Sequence, residues 1–191
     1  MTRRKVDLKV ELPTDKSAWR PAPLAGPVVL VSTRSGRGEP HVARKTWLTM
    51  VASAPPMLAL SCRLPHRTAI NILETREFVV NVPGEELAPR AWAATDQVTA
   101  GSAADGWVLS ESLRVGAPRV QECRAHLECV LDATRRVTDE DVVFFAKIVS
   151  VSLDESLMHG APEDRYRALR SLLYLEPELY AVIENARRVT P

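Results

Sequence analysis

Hydroxyls, cations and an amide crowd one short stretch of the chain, where Ser61, Cys62, Arg63, His66, Arg67, Thr68 and Asn71 follow one another closely. This stretch joins the end of a β-prone run, Met57 to Cys62, to the start of a helical pattern. Free N–H groups in the first turn of a helix, and the positive end of its dipole, attract an anion. Ser61, Arg63, His66, Arg67 and Thr68 add side-chain donors, so the chemistry suited to this stretch is the holding of a phosphate without a metal. The same residues also fit a plainer arrangement in which Thr68 caps the helix and Arg63 and Arg67 are solvated. Taken alone, they leave both open.

The elements that must position these residues read mainly as strands. Val28 to Thr33 is a β-branched run that stops at Ser35, Gly36 and Gly38, and extended character returns from His41 to Met50, which predicts a hairpin. The Gly36-Arg37-Gly38 turn lacks the spacing of a nucleotide loop. Ala69, Ile72, Leu73 and the stem of Arg76 share one face of a helix expected from about Pro65 to Glu77. Phe78 to Val82 reads as a strand, and Gly84 to Thr95 as a helix with Glu85 and Glu86 in its first turn. Ala125, Leu127, Cys129 and Leu131 alternate with His126, Glu128, Val130 and Asp132, the mark of a half-buried strand. A polar turn at Thr138 to Asp141 leads into the β-prone segment Val142 to Leu153, so these two strands are expected to pair as an antiparallel hairpin. Helical spacing recurs from Glu163 to Leu173, while Tyr174 to Ile183 is compatible with helix or strand.

With 191 residues, 46% apolar and 26% charged, the chain fits one packed domain, residues 1–191, whose first twenty residues form a polar extension. A net charge of +1 gives no bulk attraction to nucleic acid or membrane. Cys62, Cys123 and Cys129 are an odd set without a chelating or disulfide pattern, which argues against a metal. The N-terminal stretch lacks the apolar core of a signal peptide, so the cytoplasm is the expected location. His41, His126 and His159 read as surface or strand-face residues with no evident partner, and Asp139, Glu140 and Asp141 as a solvated turn tip.

The order Lys45-Thr46-Trp47, Ala54-Pro55-Pro56, Ser61, His66-Arg67-Thr68, Asn71-Ile72, Glu74-Thr75 and Glu77-Phe78-Val79-Val80-Asn81-Val82 resembles the flavin reductase-like, flavoredoxin-type FMN-binding family. Weaker matches continue through Gly106-Trp107, Pro118-Arg119-Val120, Leu127-Glu128-Cys129 and Tyr180. The resemblance implies a mainly β fold, a split β-barrel with Greek-key connections, in a homodimer that binds FMN, or else FAD, near the subunit interface. It would place Lys45, Thr46 and Trp47 along the isoalloxazine ring and Ser61 and Arg63 along the ribityl chain and phosphate. His66, Thr68 and Asn71 would surround the phosphate, with Cys62 and Arg67 beside them and Asn81 at the margin. The implied activity is that of an NAD(P)H-dependent oxidoreductase passing electrons through bound flavin to a small-molecule substrate or flavin acceptor. A non-enzymatic electron carrier and an FMN enzyme acting on one particular small molecule are the alternatives. The stretch Leu173 to Tyr180, with Glu176-Pro177-Glu178, departs from the family pattern and puts the substrate side in doubt more than the phosphate side.

Overall fold

A computed structural model describes residues 9–96 and 106–189. After a 3-10 turn at Lys16–Ala18 come β1 (Gly26–Pro27), β2 (Val29–Arg34), β3 (Pro40–Lys45), β4 (Leu48–Ser53) and β5 (Pro56–Arg63). Helix α1 (Arg67–Thr75) leads to β6 (Glu77–Val82), a 3-10 turn and α2 (Ala88–Ala93). Then follow β7 (Leu109–Ser110), β8 (Arg119–Val120), β9 (Ala125–Arg136), β10 (Asp141–Leu153), α3 (Pro162–Leu169), β11 (Leu172–Glu176) and β12 (Leu179–Val182).

Seven strands form one antiparallel sheet in the order β3-β2-β6-β9-β10-β5-β4. Strands β6, β9 and β10 follow one another, and β5 lies beside β10 after a connection through α1 that crosses the sheet, which is a Greek-key path. The two outermost strands, β3 and β4, are consecutive in the chain and separated only by Thr46 and Trp47. A link that short between opposite edges forces the sheet to curl, and the result is a split β-barrel with its seam at Thr46 and Trp47. Bulges in the β9–β10 pairing, between Phe145 and Ala146 and between Ile148 and Ser150, provide the sharp local bending that such curling needs. The barrel is filled by residues such as Leu58, Leu60, Phe78 and Phe144, all 0% exposed. Strand β1 pairs with β11 alongside the seam. A Cβ at Gly26 would run into the Thr46 carbonyl, so only glycine permits this approach.

The expected hairpin of β2 and β3 is present, turning through Gly38 at φ 84°. Its second arm is not continuous to Met50, however, because the chain leaves one sheet edge at Lys45 and joins the other at Leu48. On α1, Ala69 and Ile72 are buried, but Leu73 is 47% exposed and lies off the core face. The helix expected over Gly84 to Thr95 is a 3-10 turn, Glu85–Leu87, followed by the six residues of α2, which ends at Ala93. Residues Tyr174 to Ile183, ambiguous in sequence, belong to the β11–β12 hairpin. Among the described residues no helix is long and apolar enough to cross a membrane.

Candidate functional site

The seam opens into a pocket of about 430 Å³ whose walls come from five places. The end of β3 and the link supply Arg44, Lys45, Thr46 and Trp47, and the end of β5 supplies Ser61, Cys62 and Arg63. His66 stands at the N-cap of α1, Asp141 opens β10, and Ala94, Thr95 and Asp96 follow α2. Two bonds hold the seam in register: Ser61 N donates to Trp47 O at 2.9 Å, and Arg44 N to Ala94 O at 3.0 Å. Trp47 is 53% exposed, so its ring offers an open apolar face to the pocket and is not packed in the core.

Asp96 is the electrostatic centre. Its Oδ1 accepts from Thr68 N at 3.1 Å, Thr68 Oγ1 at 2.8 Å and His41 Nε2 at 2.9 Å. Its Oδ2 accepts from the Lys45 ammonium and lies 3.0 Å from His66 Nδ1, a contact without hydrogen-bond alignment. A carboxylate can only accept, so His41 carries its hydrogen on Nε2. Burial alone would raise the Asp96 carboxyl, but the bond from His41, the charge and bond of Lys45 and the hydroxyl of Thr68 hold it well below the usual carboxylate range. Burial pushes the nearby Cys62 thiol up, against the pull of Lys45, and lowers His66 below ordinary histidine. Cys62, His66 and Asp96 offer ligand atoms within 4.8 Å of one another, but the Lys45 ammonium is bonded to Asp96 and already answers its negative charge.

At the start of α1, where a phosphate was expected, the group that meets Thr68 is the chain's own Asp96 carboxylate. Thr68 does not cap α1 with its side chain; His66 is the N-cap residue and makes no side-chain cap bond, while Thr68 gives both its N–H and its hydroxyl to Asp96. Arg63 pairs with Glu140 across the β9–β10 turn, both groups being more than half exposed.

Residues 22–180 match the family described as flavin reductase like domain. The chain belongs to that family. A protein of Aquifex aeolicus with no assigned function is 30% identical to this flavin reductase-like domain over 159 residues, covering 76% of the chain and 80% of its own length. Nitrilotriacetate monooxygenase component B from Bacillus cereus shares the fold with a TM-score of 0.82 at 19% identity, covering 96% of this chain and 100% of that one. Flavoredoxin of Desulfovibrio vulgaris (Miyazaki F) does so with 0.80 at 20% identity, covering 96% and 97%.

Of the residues singled out in the sequence, the flavin reductase-like domain brings Lys45, Thr46, Trp47, Ser61, Cys62, Arg63 and His66 to one pocket. Lys45 is turned to Asp96, and Arg67 opens α1 outside the pocket walls. Asn71 lies 1% exposed and donates from Nδ2 to Thr33 Oγ1 at 2.9 Å. Asn81 is wholly buried, donating to Leu30 O and Ser32 Oγ and accepting from Val120 N, so its amide ties strands together away from the pocket. Two histidines read as partnerless prove engaged: His41 with Asp96, and His126, through Nδ1, with Asn81 Oδ1 at 2.9 Å.

Asp96 and Arg44 carried no local signal. Asp96 falls in an irregular stretch with no motif around it, and Arg44 looks like any outward cation of an alternating strand. Yet Arg44 Nη1 is buried and has no hydrogen-bond partner among the described residues.

Proposed function

We propose that this chain is an FMN-binding oxidoreductase of the flavin reductase type, taking reducing equivalents from NAD(P)H and passing them to a second acceptor. The observation that carries the reading is that one pocket gathers the guanidinium groups of Arg44 and Arg63 and the imidazole of His66 with the exposed ring of Trp47. Its volume, about 430 Å³, lies within the range of small-molecule sites. The donor set fits a phosphorylated flavin: Arg44 Nη1 is buried with no partner among the described residues, and the open face of Trp47 can cover a planar ring. When bound, the flavin supplies a ring that accepts hydride and hands on electrons.

The chain's own residues then bind, orient and shield. Arg44, Arg63, His66 and Ser61 would line the approach to the phosphate and the ribityl chain, Thr46 would offer a hydroxyl to the ring edge and Trp47 would cover one face. Hydride transfer asks for no side-chain acid or base. The lining groups agree, since Asp96 is fully engaged by donors and burial keeps the Cys62 thiol protonated. Adding FMN to the purified protein and mixing it anaerobically with NADH or NADPH in a stopped-flow instrument tests the reading. Bound flavin is expected to bleach with at least one of them. No flavin bound, or no bleaching with either, would overturn it.

The working unit in this reading is a cytoplasmic homodimer. Its support is an apolar patch at one end of the sheet, where Met50 and Val51 of β4 and Val149 and Val151 of β10 are 52%, 46%, 43% and 55% exposed. Val151→Glu is expected to turn a dimer into a monomer in sedimentation velocity without altering the far-ultraviolet circular dichroism. A variant that stays dimeric would clear this face of the role.

A further inference from the structure

The donors that meet at Asp96 are those a phosphate takes: a main-chain N–H in the first turn of a helix, a hydroxyl, an ammonium and an imidazole. The site is built into the core of the fold, with His41 1%, Lys45 7% and Thr68 0% exposed. The residue that fills it belongs to neither helix nor strand, since α2 ends at Ala93 and the last main-chain bond before Asp96 is the one to the carbonyl of Ala94. Another wall residue of the same pocket, Arg44, has a buried Nη1 with no partner among the described residues.

Charge points the same way. The fixed charges lining the pocket are Arg44, Lys45 and Arg63 against Asp96 and Asp141, a surplus of one positive charge. With Asp96 withdrawn only Asp141 among the lining residues opposes Arg44, Lys45 and the Glu140-paired Arg63, which favours an incoming anion such as a phosphomonoester, about −1.5 to −2 at neutral pH.

We propose that Asp96 is an internal stand-in for a ligand phosphate, and that a phosphomonoester enters the Thr68, Lys45 and His41 donor set by exchange with this carboxylate and not by binding beside it. Asp96 is then a specificity-determining residue. It keeps the end of α1 satisfied while the pocket lacks a ligand, and it subtracts from the affinity of phosphorylated ligands alone, because riboflavin has no group to exchange. This rests on the flavin reading above.

The test compares FMN, riboflavin and orthophosphate on the wild-type chain, Asp96→Asn and Asp96→Ser. Exchange predicts that the ratio of FMN to riboflavin affinity, from flavin fluorescence titrations, rises tenfold or more in Asp96→Asn while riboflavin itself changes little. Orthophosphate should displace FMN from the variant at correspondingly lower concentration. A ratio that is unchanged or falls overturns the proposal. Asp96→Ser takes the place of Asp96→Asn if the amide variant does not fold, and loss of folding in both would make Asp96 structural and equally overturn it. If neither flavin binds the wild-type chain, the flavin reading fails by itself. Orthophosphate then still decides the exchange: it should raise the melting temperature of the variant and not of the wild type, and no shift in the variant sinks the idea.

Discussion

Arg44→Met combined with Arg63→Ala is expected to weaken FMN binding about a hundredfold or more while leaving riboflavin binding nearly unchanged. A charge-assisted hydrogen bond contributes roughly 1.5–3 kcal/mol, and each factor of ten is about 1.4 kcal/mol. Most of the loss belongs to Arg44, whose Nη1 is buried without a partner among the described residues. Arg63 is 52% exposed and already paired with Glu140, so its share is reduced by solvent and by that competing pair. Methionine at position 44 keeps an unbranched stem beside Trp92, over whose ring the guanidinium sits at 4.6 Å, so the local packing is largely retained. Fluorescence titration with both flavins checks the result. An equal loss for FMN and riboflavin would show that the arginines shape the pocket without meeting a phosphate.

Glu128→Ala is expected to cost the fold about 3–5 kcal/mol, the usual effect of breaking a buried ion pair from one side. Glu128 is 0% exposed at the middle of β9, and its carboxylate accepts from Leu113 N at 2.8 Å, Arg114 N at 2.6 Å and Arg119 at 2.9 and 2.5 Å. Truncation leaves a mostly buried guanidinium and two N–H groups without their acceptor. Burial would raise the Glu128 carboxyl, but the N–H of Leu113, Arg119 and the N–H of Arg114 hold it below the usual range, as the donors around Asp96 do there. Carboxyls lowered in the folded state stabilise it above their unfolded values, about 4, and lose that contribution as the pH falls further. His66 and His126, lowered chiefly by burial, act in the same direction from 6.5 downward, because the unfolded chain takes up protons that the folded one refuses. Chemical denaturation should therefore show wild-type stability declining as pH drops below 6.5 and more steeply below about 4, with a shallower acid limb for Glu128→Ala. A pH-independent midpoint in the wild type would contradict this.

The strands were legible where local pattern and local environment agree. The β-branched run of β2, the polar turn into β10 and the apolar face of α1 at Ala69 and Ile72 are decided by near neighbours. Legibility ended where the partner was distant in sequence. Thr46 and Trp47 gave no sign that they join opposite edges of a sheet, because closure depends on the order of all seven strands. Glu128 alternates with apolar residues and reads as solvent-facing, yet the loop from Leu113 to Arg119 folds over it and supplies its donors. Helix physics pointed to an anion at the start of α1, but the cations counted for it, Arg63 and Arg67, are not the ones that meet the carboxylate there, which are Lys45 and the imidazole of His41. The carboxylate itself was not legible, since Asp96 reaches Thr68 from 28 residues away.

Trp47 belongs to the walls of two cavities, the seam pocket and a second one of about 330 Å³ reached by Lys16, Trp19, Arg20 and Tyr174. Lys16 Nζ lies 5.8 Å from the Trp47 ring centre. An aromatic ring is a thin partition, with contact distances of about 3.5–4 Å on either side. A guest in one cavity that shifted the indole would reshape a wall of the other. Thermodynamic linkage then makes the coupling mutual: a guest on the Lys16 side alters the hold on a guest at the seam by the same factor as the reverse. The emission of one tryptophan would report both.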